Sequence, residues 1–245
     1  FTTRPDPMDD GRPRSERINQ IIARELGTDI LRGRHPPGSG LRGEIEAAEA
    51  RGISRTVYRE AMRSLVAKGL VESRPKVGTH VRDPRHWYLL DTDILAWMLS
   101  DDPDPGFVRD LFELREMIEP NAAAMAALHR DAQHLAIMEE ALHGMQTHGL
   151  RKEEGREADR RFHSAIFDAG GNRFVVALSV SIETAVGLTT KLKQKNQAQP
   201  RDSLGDHRAV FSAIADRDAE EAARATRELI RLAWSDMGLA GGVPD

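Results

Sequence analysis

Three arginines recur at every fourth position in the N-terminal third of the chain: Arg55, Arg59 and Arg63. Residues spaced in this way share one face of a helix. The apolar residues fall on the opposite face, at Val57, Ala61 and Leu65. A stripe of guanidinium groups backed by an apolar face can reach the base edges and phosphates of DNA. The alternative is a solvated arginine face on a small helical domain.

A second set combines a carboxylate with imidazoles. Asp159 and His163 lie one helical turn apart, so both can point at one centre, and His207 opens another predicted helix. Such a set suits a divalent ion such as Zn, Mn or Ni, or hydrogen bonds to an anionic ligand. A single histidine among the nine in this chain is more often a core or surface residue.

Arg115 lies in an amphipathic segment, on the side predicted to face inward. A buried guanidinium must be paired, and its forked geometry suits a carboxylate. An internal salt bridge to Glu116 or Glu119 is the alternative. Together with Asp159, His163 and His207, Arg115 predicts a site for a small hydroxylated acid.

The elements that carry the arginine stripe follow a recognisable order. Helical spacing and end signals predict helices over 15–34, 43–51 and 55–68, the last capped by Ser54 and ended by Gly69. Extended segments over 70–72 and 79–81 flank a turn and predict a hairpin. Helix, helix, turn, helix and hairpin is the order of a winged helix-turn-helix, which we place at residues 15–82.

In that motif, the N-terminal residues of the second helix of the pair enter the major groove, and the wing contacts the minor groove or its phosphates. The expected contacts to double-stranded operator DNA are therefore Arg42, Ser54, Arg55, Thr56, Arg59, Arg63, Lys76, Gly78, Thr79 and His80.

The rest of the chain reads as helical. Residues 83–105 form a proline-punctuated linker with one short helix, and residues 1–14 and 239–245 are a predicted disordered arm and tail. From 106 to 238 the predicted helices cover 106–129, 132–148, 155–169, 173–195, 202–216 and 218–237. The expected fold class is mainly α, a winged helix-turn-helix followed by an all-helical antiparallel bundle.

Charge is divided between these two parts. Residues 11–82 carry a net charge of +7, whereas residues 83–245 carry −9. A basic module on an acidic body indicates a nucleic-acid-binding head, although such an imbalance also arises by chance. With no cysteine and no run of about 18 apolar residues, we expect a cytoplasmic protein with no membrane span.

The head resembles the GntR family of regulators. The resemblance rests on Pro37-Gly38-Ser39, Leu41-Arg42-Gly43-Glu44, Gly52-Ile53-Ser54-Arg55-Thr56, Tyr58-Arg59-Glu60-Ala61-Met62 and Gly78-Thr79-His80-Val81. Gly43 stands where the family often has Ser, and Val57 stands where it often has Pro. The resemblance implies DNA contacts by Arg42, Arg55, Thr56, Arg59 and Gly78.

The helical part resembles the FadR-type ligand-binding domain (FCD) of that family. The residues are Leu111-Phe112-Glu113-Leu114-Arg115, Ile118-Glu119-Pro120, Asp159, Phe162-His163, Gly171-Asn172 and Asp206-His207-Arg208. Segment 86–97, with its tryptophans and aspartates, is similar to the subgroup that responds to sugar acids such as galactonate.

The resemblance also implies a metal site. Family members that hold a metal here use one Asp and three His, and the position of the last His is Leu229 in this chain. The fourth ligand is missing, so Asp159, His163 and His207 either hold an ion with water or effector oxygens, or bind an anion without metal.

We therefore expect a homodimeric transcription repressor, not an enzyme, whose operator affinity responds to a small carboxylate, with a sugar acid as the first expectation. One alternative keeps the fold and senses a fatty acyl ligand. Another is a helical metal-dependent enzyme acting on a sugar acid through Asp159, His163 and His207.

Overall fold

The computed structural model describes residues 14–74, 77–100, 102–196 and 200–238. The chain divides into two compact units, one ending at Trp97 and the other beginning at Met98. This division falls inside the segment predicted as a linker. The predicted arm, the predicted tail and the wing residue Lys76 lie outside the described residues, except that Arg14 of the arm opens the first helix.

The first unit has the predicted order of elements. Its helices are α1 (Arg14–Leu31), α2 (Glu44–Ala50) and α3 (Arg55–Ala67), followed by strands β1 (Val71–Arg74) and β2 (Gly78–Val81). The strands pair antiparallel. Segment 38–41 pairs with the other edge of β2 through backbone hydrogen bonds to residues 79 and 81. These hydrogen bonds attach the β-hairpin to the segment between α1 and α2.

The ends of α2 and α3 lie within one residue of the predicted bounds. The Ser54 side chain accepts a hydrogen bond of 3.3 Å from the Val57 amide, whereas Gly43 offers α2 no side-chain cap. Gly69 follows α3 at φ +73°, and a Cβ there would lie 2.1 Å from the carbonyl oxygen of His86. Both the backbone conformation and this close approach require glycine.

The core of the first unit forms where α1 and α2 pack on α3. Apart from Val57, which is half-buried, the apolar residues predicted to face inward on α3 are buried, and this face of α3 packs against α1. The main contributors are Ile22, Leu26, Ile30, Tyr58, Ala61, Met62, Leu65 and Leu70. Burying one face of α3 leaves its arginine face outward.

The connector also packs on the first unit. It contains a short 3-10 turn (Pro84–His86) and α4 (Thr92–Met98). The buried ammonium of Lys68 lies 2.7 Å from Asp91 and 2.6 Å from Asp93, and stands over the Trp97 ring. Gly27 of α1 leaves room for that ring, since a Cβ there would lie 2.3 Å from it.

The second unit is a helical bundle, which confirms the mainly α fold. Its helices are α5 (Pro105–His129), α6 (Ala132–His148), α7 (Glu153–Gly170), α8 (Arg173–Asn196), α9 (Leu204–Ala215) and α10 (Ala219–Ser235). The closest neighbours are α6 with α7 and α5 with α10, and α7 also packs on α5 and α8. One apolar core, rich in Ala and including Phe162, Phe167 and Ile214, joins these helices.

Among the described residues, α8 is the one helix long and apolar enough to cross a membrane by length and composition. The prediction of no such segment overlooked it, because polar residues interrupt its apolar run. It packs against α7, and 39% of the apolar window is buried inside the unit. Core helices of water-soluble proteins pass the same test, so the helix is weak support for a membrane span.

Candidate functional sites

The arginine stripe of α3 lies on the accessible side of the first unit. Arg55 and Arg63 are exposed, and each is held by a nearby carboxylate. Arg55 Nε lies 3.1 Å from Glu44, and Arg63 Nη1 lies 2.7 Å from Glu60. Exposed ion pairs of this kind are weak, so phosphate or base oxygens can replace the carboxylates.

Arg59 differs from its neighbours on the stripe. It is half-buried, and its Nε has no hydrogen-bond partner among the described residues. A buried guanidinium donor without an acceptor carries an energetic cost that an incoming oxygen would remove. Arg59 is therefore prepared for an acceptor from outside the chain.

The remaining predicted contacts surround this stripe. Exposed Ser54 and Thr56 stand at the start of α3, and exposed Arg42 precedes α2, 4.0 Å from Glu46. In the wing, Gly78 is exposed, whereas Thr79 and His80 are half-buried, with the His80 ring 3.4 Å from the Gly78 carbonyl.

The second unit contains a small cavity that opens to solvent and has a volume of about 30 Å³, room for about two water molecules. All four residues predicted to bind effector, Arg115, Asp159, His163 and His207, line it. The other lining residues are Phe112, Val186, Thr189, Thr190, Lys193, Arg201, Ser203, Leu229, Ala233 and Met237.

Asp159 of α7 is the centre of the cluster. Its Oδ1 lies 3.0 Å from His207 Nε2 and 3.8 Å from His163 Nε2, and its Oδ2 accepts a hydrogen bond of 3.1 Å from Thr190. His207 Nδ1 lies 2.8 Å from the Ser203 carbonyl oxygen. Because a carbonyl only accepts, Nδ1 carries the proton, and Nε2 of a neutral ring presents its lone pair to the cluster.

His163 is oriented in the same way from the other side. Its Nδ1 lies 2.9 Å from Glu119 Oε2, and Glu119 Oε1 accepts a hydrogen bond of 2.6 Å from Arg115 Nε. The side chains of this series are each at most 4% exposed: Arg115, Glu119, His163 and Asp159. Glu119 Oε2, like Asp159 Oδ1, makes no hydrogen bond to a described residue, so Glu119 acts on the ring that faces Asp159 through its charge.

These contacts shift the ionisation of both acids. Burial by itself would raise the pKa of Asp159, but His207, His163 and Thr190 outweigh it and hold the pKa at about 2. Burial alone would also raise the pKa of Glu119. Arg115 and His163 lower it by more than burial raises it, and they hold the pKa of Glu119 at about 2. Burial lowers the pKa of His207, but Asp159 outweighs it, so the net shift is upward. Both acids are ionised near neutral pH.

The cluster has the donor set and spacing of a metal site. One ligand atom from each of Asp159, His163 and His207 lies within 4.8 Å of the others. Ligand atoms at about 2.0–2.2 Å from one tetrahedral zinc ion lie about 3.3–3.6 Å apart, and the separations of 3.0 Å and 3.8 Å from Asp159 Oδ1 lie on either side of this value. Asp159 Oδ1 and His207 Nε2 are buried without a hydrogen-bond partner, since their 3.0 Å contact lacks hydrogen-bond geometry. A bound cation would give both atoms a partner, so these three residues fit a divalent metal ion.

Two residues bear on the alternatives that the sequence left open. Arg115 makes the internal salt bridge to Glu119, not to Glu116, through Nε. Its two Nη groups make no hydrogen bond to a described residue, and the side chain lines the cavity. Leu229, at the position of the family's last histidine, also lines the cavity and leaves that side of the cluster apolar.

Sequence reasoning missed part of the lining. Thr190 and Lys193 lie one turn apart near the end of α8, and Arg201 lies between α8 and α9. The i, i+3 spacing of Thr190 and Lys193 was the available signal, but it does not tell which face of α8 turns inward. Glu119 was considered only as a partner of Arg115, not of His163.

Both units match known families. Residues 18–81 match the family described as "Bacterial regulatory proteins, gntR family", and residues 110–232 match the FCD domain. A structure of Lar from Listeria monocytogenes is 18% identical and covers 91% of this chain and 98% of its own, with a TM-score of 0.60. At this identity the likeness supports the fold alone.

Curated relatives cover most of the chain. It is 34% identical over 206 residues to the galactonate operon transcriptional repressor of Escherichia coli, covering 84% of this chain and 90% of the relative. It is 29% identical to the Uxu operon transcriptional regulator of the same organism, covering 85% and 82%. The chain is a DNA-binding transcription regulator of the GntR family, with an N-terminal winged helix-turn-helix and a C-terminal FCD domain.

Proposed function

We propose that this regulator is a repressor whose operator affinity is controlled by a small carboxylate, a sugar acid, bound in the helical unit. The observation that carries the proposal is the buried cavity in which Arg115 and the Asp159, His163 and His207 cluster meet. The name of one relative, the galactonate operon transcriptional repressor, supports the effector class.

The DNA-binding part of the proposal uses a homodimer. Two copies of α3 lie in successive major grooves of a palindromic operator, with the wings on the flanking backbone. Arg55 and Arg59 contact bases, while Arg42, Arg63 and the wing contact phosphates. The local carboxylates that hold Arg55 and Arg63 are exchanged for DNA oxygens on binding.

Replacing either Arg55 or Arg59 with alanine will weaken operator binding by about 1–3 kcal/mol, because each loses a contact to a base edge. The measurement is fluorescence anisotropy at fixed salt, on an operator that the protein itself has selected from random DNA. Loss of discrimination against one-base variants of this operator accompanies the loss of affinity.

Arg24→Ala is the matched control for both variants. Arg24 is an exposed arginine of the same unit, but it lies on α1, away from the stripe. It should change affinity little. Unchanged binding by both Arg55→Ala and Arg59→Ala would place the recognition surface elsewhere.

In the cavity, the Nη groups of Arg115 bind the effector carboxylate, and the guanidinium is held by Glu119 for that purpose. Asp159, His163 and His207 would hold a divalent ion, which supplies a Lewis-acidic partner for effector oxygens when bound. To hold the ion, His207 would have to be neutral, with Nε2 as the ligand atom and Nδ1 donating its proton to the Ser203 carbonyl oxygen.

Two alternatives fit this lining less well. A fatty acyl ligand needs a long apolar tunnel, whereas three cations and several hydroxyls line this cavity. An enzyme needs a general base, and the acid beside His163 is Glu119, whose pKa of about 2 makes it a weak one. The relatives are also transcription regulators.

Effector binding can release DNA only if it favours one arrangement of the protein. We expect D-galactonate or a related aldonate to weaken binding to the selected operator by about 5–150-fold, the usual range of allosteric coupling. The measurement is anisotropy of the operator complex titrated with aldonates, short hydroxy acids and acyl thioesters, with and without zinc, manganese or nickel. Operator binding indifferent to every acid would contradict the sensing part of the proposal, and release by an acyl thioester alone would favour that alternative.

A further inference from the structure

Two cations of the cavity have no role in the proposed function so far. Lys193 extends from the last turns of α8, and Arg201 follows in the segment before α9. Both line the same cavity as Arg115 and Asp159. On α8, Lys193 lies one turn beyond Thr190, which is hydrogen-bonded to Asp159. The two cations are therefore part of the site and close to its cluster.

Lys193 is buried with unused donors. Its side chain is 6% exposed, and its Nζ donates one hydrogen bond of 3.3 Å, to Asp236. An ammonium carries three donors, and no second acceptor comes from the described residues. A buried charged donor without an acceptor is costly, so this end of Lys193 is arranged for oxygen atoms from a ligand.

Arg201 repeats the arrangement from the loop. Its Nε lies 3.1 Å from Asp236, and its Nη1 pairs with Asp206. Its Nη2 is buried and lacks a hydrogen-bond partner among the described residues. Lys193 and Arg201 thus share the acceptor Asp236 and each keeps at least one unfilled donor.

The charge balance selects the kind of acceptor. Lys193 and Arg201 carry two positive charges, and their partners Asp206 and Asp236 carry two negative charges. The charges of these four described residues already cancel, so a second carboxylate or a phosphate would add uncompensated negative charge here, whereas at the Arg115 end a divalent ion on the cluster would offset the carboxylate. Hydroxyl groups accept from cationic donors and add no charge. This corner therefore suits the hydroxylated chain of an effector, not a second acid group.

We propose that Lys193 and Arg201 form a hydroxyl-binding subsite, and that the effector is consequently a polyhydroxy monocarboxylate instead of a short hydroxy acid or a dicarboxylate. The inference rests on the proposed function, since it names the residues that bind the hydroxylated end of an effector whose carboxylate binds elsewhere in the cavity. Lys193 and Arg201 then determine specificity, while Arg115 and the cluster bind what all acids share.

The test compares ligands that differ in chain length and charge. Calorimetric titration measures the affinities of D-galactonate, the three-carbon glycerate and the dicarboxylate galactarate. Wild-type protein should prefer galactonate to both. In Lys193→Met the preference for galactonate over glycerate should fall about 10–100-fold, the value of one or two hydrogen bonds to a charged donor, with glycerate affinity little changed.

Lys191→Met is the matched control, because Lys191 lies on the same helix and is exposed. It should keep the wild-type preference. Arg201→Gln provides a second variant that leaves α8 intact, and it should lose the preference as Lys193→Met does. An unchanged preference in both cavity variants, or tighter binding of galactarate than of galactonate, overturns the inference alone. If no acid binds the wild-type protein, the proposed function fails and the inference with it.

Discussion

Replacing Arg115 with methionine is expected to lower the free energy of unfolding of the helical unit by about 3–5 kcal/mol. The reason is the buried partner: Glu119 is 2% exposed, and Arg115 Nε lies 2.6 Å from it. Methionine fills similar space but leaves a carboxylate without its cation in the core. Urea unfolding of the full chain, followed by circular dichroism, measures the change.

The same helix supplies a control with the same spacing. Arg109 and Glu113 form an i, i+4 pair on α5 at 3.6 Å, but both are exposed. Arg109→Met should change stability by less than about 1 kcal/mol. The double variant Arg115→Met, Glu119→Gln removes the stranded charge and should recover most of the loss. Equal effects of Arg115→Met and Arg109→Met would contradict the account of the buried pair.

The double variant also tests whether effector release needs the Arg115 and Glu119 pair, since Glu119 lies beside His163 as well as Arg115. It folds with a neutral pair and lacks the Nη groups that we assign to the effector carboxylate. Operator binding should persist, while release by a sugar acid should be lost. A retained response to the acid would show that Arg115 is structural and that the carboxylate binds elsewhere in the cavity.

Local signals explain why the elements were predictable. Gly69 and the Gly170-Gly171 pair end helices, Ser54 begins one, and the intervening apolar spacing is regular. These signals act over a few residues, so the sequence alone predicts them well. The match between predicted and observed helices in the bundle is accordingly close, from α6 at identical bounds to α9, which starts two residues later than predicted.

The candidate site was predictable in part, and most directly where its residues share one helix. Asp159 and His163 are one turn apart on α7, and their spacing alone suggested a common centre. His207 was proposed to complete the set because it opens another predicted helix, but its spacing in the sequence does not place it beside the other two. Whether Lys193 and Arg201 line the cavity depends on how α8 packs and on the loop after it. No short-range pattern in the sequence indicates that these two side chains do so.

Pairing of charges was equally hidden. The sequence offered Glu116 and Glu119 as partners of Arg115. Helical spacing allows an i, i+4 pair between Arg115 and Glu119, but it does not exclude a ligand as the partner of Arg115. The fold shows a shared arrangement: Glu119 engages Arg115 with one oxygen and faces His163 with the other. One carboxylate thus links a predicted effector residue to a predicted metal ligand.

Replacing Asp159 with asparagine is expected to abolish stabilisation of the protein by divalent metal. Chelator-stripped wild-type protein should gain about 2.7 kcal/mol in free energy of unfolding at a metal concentration 100 times the dissociation constant. The amide keeps the size of the side chain but removes the anionic oxygen that lies between His163 and His207. Thermal unfolding with zinc, manganese or nickel, in the absence of any acid, measures the difference.

Asp168→Asn is the matched control, since Asp168 is an exposed acid on the same helix. It should keep the full metal response. Nonspecific binding of metal to surface acids or histidines would survive in both variants, so only loss confined to Asp159→Asn supports the cluster. A wild-type protein that no metal stabilises, but that a sugar acid does, would identify the cluster as a metal-free site. His207, protonated against Asp159, would then bind the anion directly, and the leucine at position 229 would mark a lineage that no longer uses the ion.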